Sequence, residues 1–142
     1  MECIAYKGGY KYQLKKDYTT KIEIQPAAPA GNKYVQLAPD GTLSLKEGYA
    51  WDGPSGPTLD TKNFMRGSLV HDALYQLIRE GQLKMDPHRE MADRILQRMC
   101  REDGMSGLRA WWVYQGVHRF GDPAADPANE RPLTHAPLGC PG

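Results

Sequence analysis

The stretch at residues 62–81, KNFMRGSLVHDALYQLIREG, decides the fold. Met65, Leu69, Ala73 and Leu77 recur every four residues, and Val70, Leu74 and Ile78 follow beside them. Apolar residues at that spacing gather on one side of a 3.6-residue helix. Gly81 ends the stretch as a C-cap, where a residue without Cβ takes the left-handed conformation at little cost. Into this apolar helix the sequence inserts His71 and Asp72. A polar group buried without a partner costs roughly 2–7 kcal/mol, so the pair must find partners elsewhere in the chain.

The next segments read as two more helices. Asp86-Pro87 is an N-cap followed by proline at the first helical position, and Ala92, Ile95, Leu96 and Met99 supply an apolar face as far as Asp103-Gly104. A third helix starts at Ser106, carries Leu108, Trp111, Trp112 and Gln115 on one face, and stops before Gly121. Tryptophans at such spacing read as core before they read as a ligand platform. Residues 122–142 are rich in proline and lack periodicity, which reads as an extended tail.

Upstream, the period changes to two. Tyr10, Tyr12 and Leu14 alternate with Lys11, Gln13 and Lys15. Residues 21–25, residues 34–37 and residues 42–46 alternate likewise, as half-buried strands do. Residues 26–31, PAAPAG, break the run, and Pro39-Asp40-Gly41 marks a turn. The expectation is a small N-terminal antiparallel sheet of about three or four strands. A Gly- and Pro-rich loop, residues 49–61, leads into the helices. The fold class is α+β: the sheet, then a bundle of three helices, the first two antiparallel, as one domain over residues 1–121.

Composition narrows the function classes. Eighteen basic and seventeen acidic residues give a formal charge of +1. That balance argues against a chain whose main task is neutralising phosphates, so nucleic acid is not an expected partner. No apolar run approaches the roughly 20 residues of a membrane span, and the N-terminus lacks a secretory apolar segment. Synthesis and folding in the cytoplasm are expected. Cys3, Cys100 and Cys140 are too scattered for a disulfide framework and read as reduced thiols.

The residues able to carry chemistry converge on the first two helices. Ser68, His71 and Tyr75 share one face of the first helix, and Asp72 points 100° away. Asp93 sits at the edge of the second helix's apolar stripe. A short connection makes the two helices antiparallel neighbours, which lets Asp93 reach a His71 nitrogen. A carboxylate on one ring nitrogen fixes the tautomer and raises the basicity of the other, which can then take a proton from water. Asp72, Asp52 and carbonyls of the loop at Gly53–Gly56 would suit a hard cation such as calcium. The other reading is a structural polar network that pins the helices together, and on spacing alone it carries the greater weight. His118, in WWVYQGVHRFG, reads as packing against aromatics.

Four segments carry a resemblance. They are residues 48–57, GYAWDGPSGP; residues 70–75, VHDALY; residues 92–95, ADRI; and residues 116–121, GVHRFG. Together they resemble a phage and prophage family catalogued as domain of unknown function 1353, over roughly residues 5–121. This resemblance implies a viral or prophage origin and no activity. More distantly, Trp51-Asp52-Gly53, then His71-Asp72 with Tyr75, then Asp93, is similar to bacterial and fungal secreted phospholipase A2 enzymes. That likeness spans about 45 residues. It implies His71 as general base, Asp93 orienting it, Tyr75 bonded to Asp93, and calcium held by Asp72, Asp52 and the Gly53 carbonyl. The chain departs from those enzymes in having no cysteine beside His71, Ser55 in the loop, and an N-terminal sheet.

Two functions follow. The first, placed slightly ahead, is a virion, tail-associated or accessory phage protein that docks on other virion proteins through its tail. The alternative is a calcium-dependent esterase of phospholipase A2 type, acting on lipid or envelope during entry or lysis.

Overall fold

The structure is a computed structural model that describes residues 6–7, 12–51 and 62–120. They fall in two compact units, one of strands within residues 2–52 and one of helices within residues 53–130. The chain is therefore α+β, strands first and helices after.

The strand unit holds two antiparallel sheets, where the period-two pattern alone suggested one. β1 (Tyr6–Lys7), β2 (Tyr12–Leu14) and β7 (Ala50–Trp51) form a three-stranded sheet in the order β1-β2-β7. β3 (Tyr18–Lys21), β4 (Ala30–Gly31), β5 (Val35–Leu37) and β6 (Thr42–Leu45) form the other, in the order β3-β6-β5-β4. The break lies at the polar run Lys15-Lys16-Asp17. There the Asp17 carboxylate accepts the Glu47 N–H at 2.7 Å. Pro39-Asp40-Gly41 makes the expected turn between β5 and β6. Gly41 has φ +92°, and an added Cβ would meet the Ile22 carbonyl oxygen at 2.4 Å. Asp40 Oδ1 accepts the Thr42 N–H at 2.9 Å. This contact, charged on one side, holds the Asp40 carboxyl below the usual range. Leu14, Ile24, Val35, Leu37, Leu43 and Leu45 are the buried apolar side of this unit.

The helical unit contains α1 (Lys62–Arg79), α2 (Met85–Glu102) and α3 (Gly107–Phe120). α1 ends as its sequence predicts: Gly81 has φ +76°, and its N–H reaches the Ile78 carbonyl at 3.0 Å. In α2, Asp86 keeps extended dihedrals (φ −103°, ψ 124°), so the regular helical run begins at Pro87. Ser106 Oγ accepts the Arg109 N–H at 3.2 Å and caps α3.

α1 and α2 run antiparallel, because Arg66 near the start of α1 meets the end of α2 while Tyr75 meets its middle. Arg66, 3% exposed, donates from Nε and Nη2 to the Asp103 carboxylate and from Nη2 to Glu102 at 2.8 Å. The two helices approach closely at Gly67, where an added Cβ would lie 2.9 Å from Leu96 Cδ1 and 3.2 Å from Cys100 Sγ. Phe64, Leu96, Cys100, Met105, Ala110 and Val113 form a common core. Burial pushes the Cys100 thiol up to about 12, so it stays a neutral, inert packing group.

α3 turns a different face inward from the one expected. Ala110, Val113 and Tyr114 are buried, whereas Leu108, Trp111 and Trp112 are 70%, 46% and 64% exposed. The tryptophans are therefore surface and not core. Both stripes of α3 are apolar, so periodicity alone does not say which one meets the other helices.

Candidate functional site

The carboxylate of Asp93 is the centre of the site. α2 presents it from the inner side of the helix, flanked by buried Ala92 and Leu96, and it is 0% exposed. A carboxylate taken wholly out of water needs donors, and α1 supplies two. His71 Nε2 lies 2.7 Å from Asp93 Oδ1, and the Tyr75 hydroxyl donates to the same oxygen at 2.5 Å. Four residues separate His71 from Tyr75, so both lie on one helical face, with ring centroids 4.1 Å apart.

The protonation states follow from these contacts. Burial, together with the adjacent Asp93 carboxylate, pushes the Tyr75 phenol far above its ordinary range, so it remains a donor. With Asp93 Oδ1 accepting that proton donor, the hydrogen on the His71 ring belongs on Nε2, and Nδ1 carries the lone pair of the neutral imidazole. Burial pulls the His71 pKa down. The Asp72 and Asp93 carboxylates outweigh it, and the net shift is upward from 6.5. His71 is thus a strengthened base with one nitrogen committed.

The other nitrogen faces Asp72. Nδ1 is 3.9 Å from Asp72 Oδ1, beyond hydrogen-bond distance, and the Asp72 side chain is 33% exposed. His71 itself is 7% exposed. The polar cluster thus runs from a wholly buried carboxylate, through the imidazole, to a carboxylate that reaches solvent.

Asp93 has a third neighbour that the sequence reading did not connect to it. His118 Nδ1, on α3, lies 3.8 Å from Asp93 Oδ2, and both atoms are buried without a hydrogen bond. The His118 ring stacks on Tyr114, with centroids 5.3 Å apart, as its aromatic surroundings suggested. Tyr114 in turn donates to Glu90 at 2.7 Å. Arg89 of α2 donates to the Val117 carbonyl at 3.2 Å and to the His118 carbonyl, satisfying acceptors that the end of α3 leaves open. The signal was partial: His118 lies one turn beyond Tyr114 and two turns beyond Trp111, at the boundary between the inner stripe of α3 and its tryptophan face.

Of the residues singled out for chemistry, the structure brings His71, Asp93, Tyr75 and Asp72 together. Asp52 and Gly53, the other expected calcium ligands, lie outside the described residues, as do Cys3, Cys140 and the tail. Asp72 offers hard oxygen of the kind calcium takes, but one carboxylate is far short of the roughly six to eight oxygens such an ion needs. Among the described residues no group of three or more His, Cys, Asp or Glu is arranged to hold a metal. None of the described helices is long and apolar enough to cross a membrane.

Comparison with known proteins gives one match. The model of a family described as "Protein of unknown function (DUF1353)" matches residues 32–117, which include β5 to β7, both site helices and nearly all of α3. No curated protein and no solved structure matches the chain.

Proposed function

The chain belongs to the DUF1353 family of proteins of unknown function, and from that premise we propose that His71, Asp93 and Tyr75 form a hydrolytic centre for carboxylic esters. One observation carries this reading. His71 commits Nε2 to a buried carboxylate at 2.7 Å and turns Nδ1 toward Asp72, whose side chain reaches solvent. A histidine used only as a structural strut is best satisfied by bonding both nitrogens. One held on a single side keeps a lone pair for a proton.

In the proposed reaction a water beside Nδ1 gives its proton to His71 as its oxygen bonds to the ester carbonyl carbon. Asp93 stabilises the imidazolium that forms, and the Tyr75 hydroxyl holds Asp93 in place. The tetrahedral intermediate then collapses. The ester C–O bond breaks, Nδ1 returns the proton to the departing alkoxide, and an acid and an alcohol leave. The likeness to phospholipase A2 enzymes supports this assignment of roles and favours a lipid ester. The likeness to phage sequences would place the reaction at a host envelope. Calcium bound at Asp72 would polarise the ester carbonyl; no step above depends on it.

The experiment is fatty-acid release from phospholipid vesicles by the wild type and by His71→Gln, each with calcium and with chelator. A general base contributes about 10²–10⁴-fold, so the variant is expected to lose at least about 10²-fold. Equal release from the two proteins refutes the hydrolytic reading and favours a virion or tail component in which the network only pins the helices. Release that survives chelation removes calcium from the proposal and leaves the base. Release lost both on chelation and in Asp72→Asn supports the cation.

A further inference from the structure

Among the described residues the largest exposed apolar side chains all lie on α3: Leu108, Trp111 and Trp112, at 70%, 46% and 64% exposure. Their spacing of three and four residues makes them one stripe, continued by Gln115 and Arg119. The opposite stripe, Ala110, Val113 and Tyr114, is buried against the other helices. The outer stripe is therefore not the edge of that core but a second apolar face on the same helix. Large apolar side chains exposed together on one face point to an interaction site.

Charge narrows the occupant. From Gly104 to Phe120 the sequence contains Arg109, Arg119 and His118 and no acidic residue. Arg101 lies beside Gly107 at the start of the helix and donates to the Met105 carbonyl. An apolar face on a helix that carries arginines and no acidic residue of its own complements a surface that is anionic outside and apolar beneath. We propose that the outer face of α3 is a docking surface for an anionic lipid bilayer, with α3 lying in the interfacial plane and Leu108, Trp111 and Trp112 entering the headgroup and acyl boundary.

Three features fit this occupant. At 14 residues and about 1.5 Å per residue α3 is too short to span a bilayer. Tryptophan has an apolar body with a polar N–H, which suits the interface, and arginine can extend its charge to the headgroups from a stem that lies along apolar surface. The two indoles meet edge to face, at 75° and 5.5 Å between centroids. Rings set across each other give no continuous stacking platform for successive bases, and Leu108 offers a base nothing to stack on, so a single-stranded nucleic acid fits less well. A bilayer is indifferent to the angle between the rings. The inference stands on α3 alone and does not depend on the hydrolytic reading of His71.

The test uses the full chain with vesicles of phosphatidylcholine alone and of phosphatidylcholine mixed with phosphatidylglycerol. Trp51, at 3% exposure, is already shielded from water, so a blue shift of emission on vesicle addition reports Trp111 and Trp112. The expected results are that shift together with co-sedimentation on the anionic vesicles, weaker binding to neutral ones, and loss of binding with added salt. Leu108→Ser/Trp111→Ser/Trp112→Ser is expected to bind at least about tenfold more weakly. The single variant Trp112→Ser, at the more exposed ring, must weaken binding too if the triple variant does not fold. Wild-type binding that the variants leave unchanged overturns the proposal. So does the absence of binding to any vesicle. Wild-type self-association abolished by the variants, without lipid binding, assigns the face to a second copy of the chain. Preference for single-stranded DNA over anionic vesicles assigns it to nucleic acid. Either result also overturns the proposal.

Discussion

Asp93→Ala removes the acceptor on which two buried donors converge. Asp93 Oδ1 receives His71 Nε2 at 2.7 Å and the Tyr75 hydroxyl at 2.5 Å, and His71 and Tyr75 are 7% and 3% exposed. Water therefore cannot readily replace the lost acceptor. A buried donor stranded without a partner costs about 1–3 kcal/mol, and two are stranded, so the variant is expected to lose about 2–6 kcal/mol. That is a large part of the roughly 5–15 kcal/mol that holds a typical domain together. The loss has internal structure that can be measured. In a Tyr75→Phe background one of the two donors is already gone, so the same Asp93→Ala change is expected to cost less by about 1–3 kcal/mol. Urea unfolding of the wild type, both single variants and the double variant, followed by far-ultraviolet circular dichroism, yields this coupling from the four midpoints and slopes. Additive losses, with a coupling within about 0.5 kcal/mol of zero, would show that the phenol and the carboxylate do not share the contact described, and the site would fail with it.

Two further predictions concern the same helices. His71 has its pKa raised above 6.5 because the Asp72 and Asp93 carboxylates outweigh the downward pull of burial. Its charge-linked contribution to stability is fully present below 6.5 and is lost as pH rises through the folded-state value. The stability gap between the wild type and His71→Gln should narrow as pH is raised from 6.5 into the alkaline range; a gap that widens over that range would reverse the assigned direction. Gly67→Ala places a methyl 2.9 Å from Leu96 Cδ1 and 3.2 Å from Cys100 Sγ at the contact of α1 with α2. Alanine is favoured over glycine in a helix by about 1 kcal/mol, but overpacking costs about 1–3 kcal/mol, so a net loss is expected in thermal unfolding. A stabilised variant would mean that the two helices separate more easily there than their packing implies.

Elements written in local periodicity were legible. Met65, Leu69, Ala73 and Leu77 predict α1, and Gly81 predicts its end, because a buried stripe and a left-handed cap are properties of neighbouring residues. Pairings between distant segments were less legible. Lys21 to Gln25 alternates in burial as a strand should, with Ile22 and Ile24 at 3% and 0% exposure, yet β3 ends at Lys21. Its partner β6 begins at Thr42, opposite Lys21, and before Thr42 the chain turns away at Pro39 to Gly41. Alternation reports which side is buried; a strand also needs a neighbour to bond, and that neighbour is set by the turn.

The same division runs through the site. His71, Tyr75 and Asp93 could be connected from sequence because a helical face and a short antiparallel connection leave few ways for them to miss each other. His118 comes from a third helix whose two stripes, Ala110-Val113-Tyr114 and Leu108-Trp111-Trp112, are both apolar. The choice between those stripes was not a matter of hydrophobicity. The inner stripe places the small side chains of Ala110 and Val113 in one core with Phe64, Leu96, Cys100 and Met105, and a close-packed interior favours such residues over an indole. Once that stripe is inside, two consequences follow together. His118 is carried toward Asp93, and both tryptophans are carried into solvent. The histidine beside the buried carboxylate and the apolar face of α3 thus have one structural cause, the orientation of a single helix.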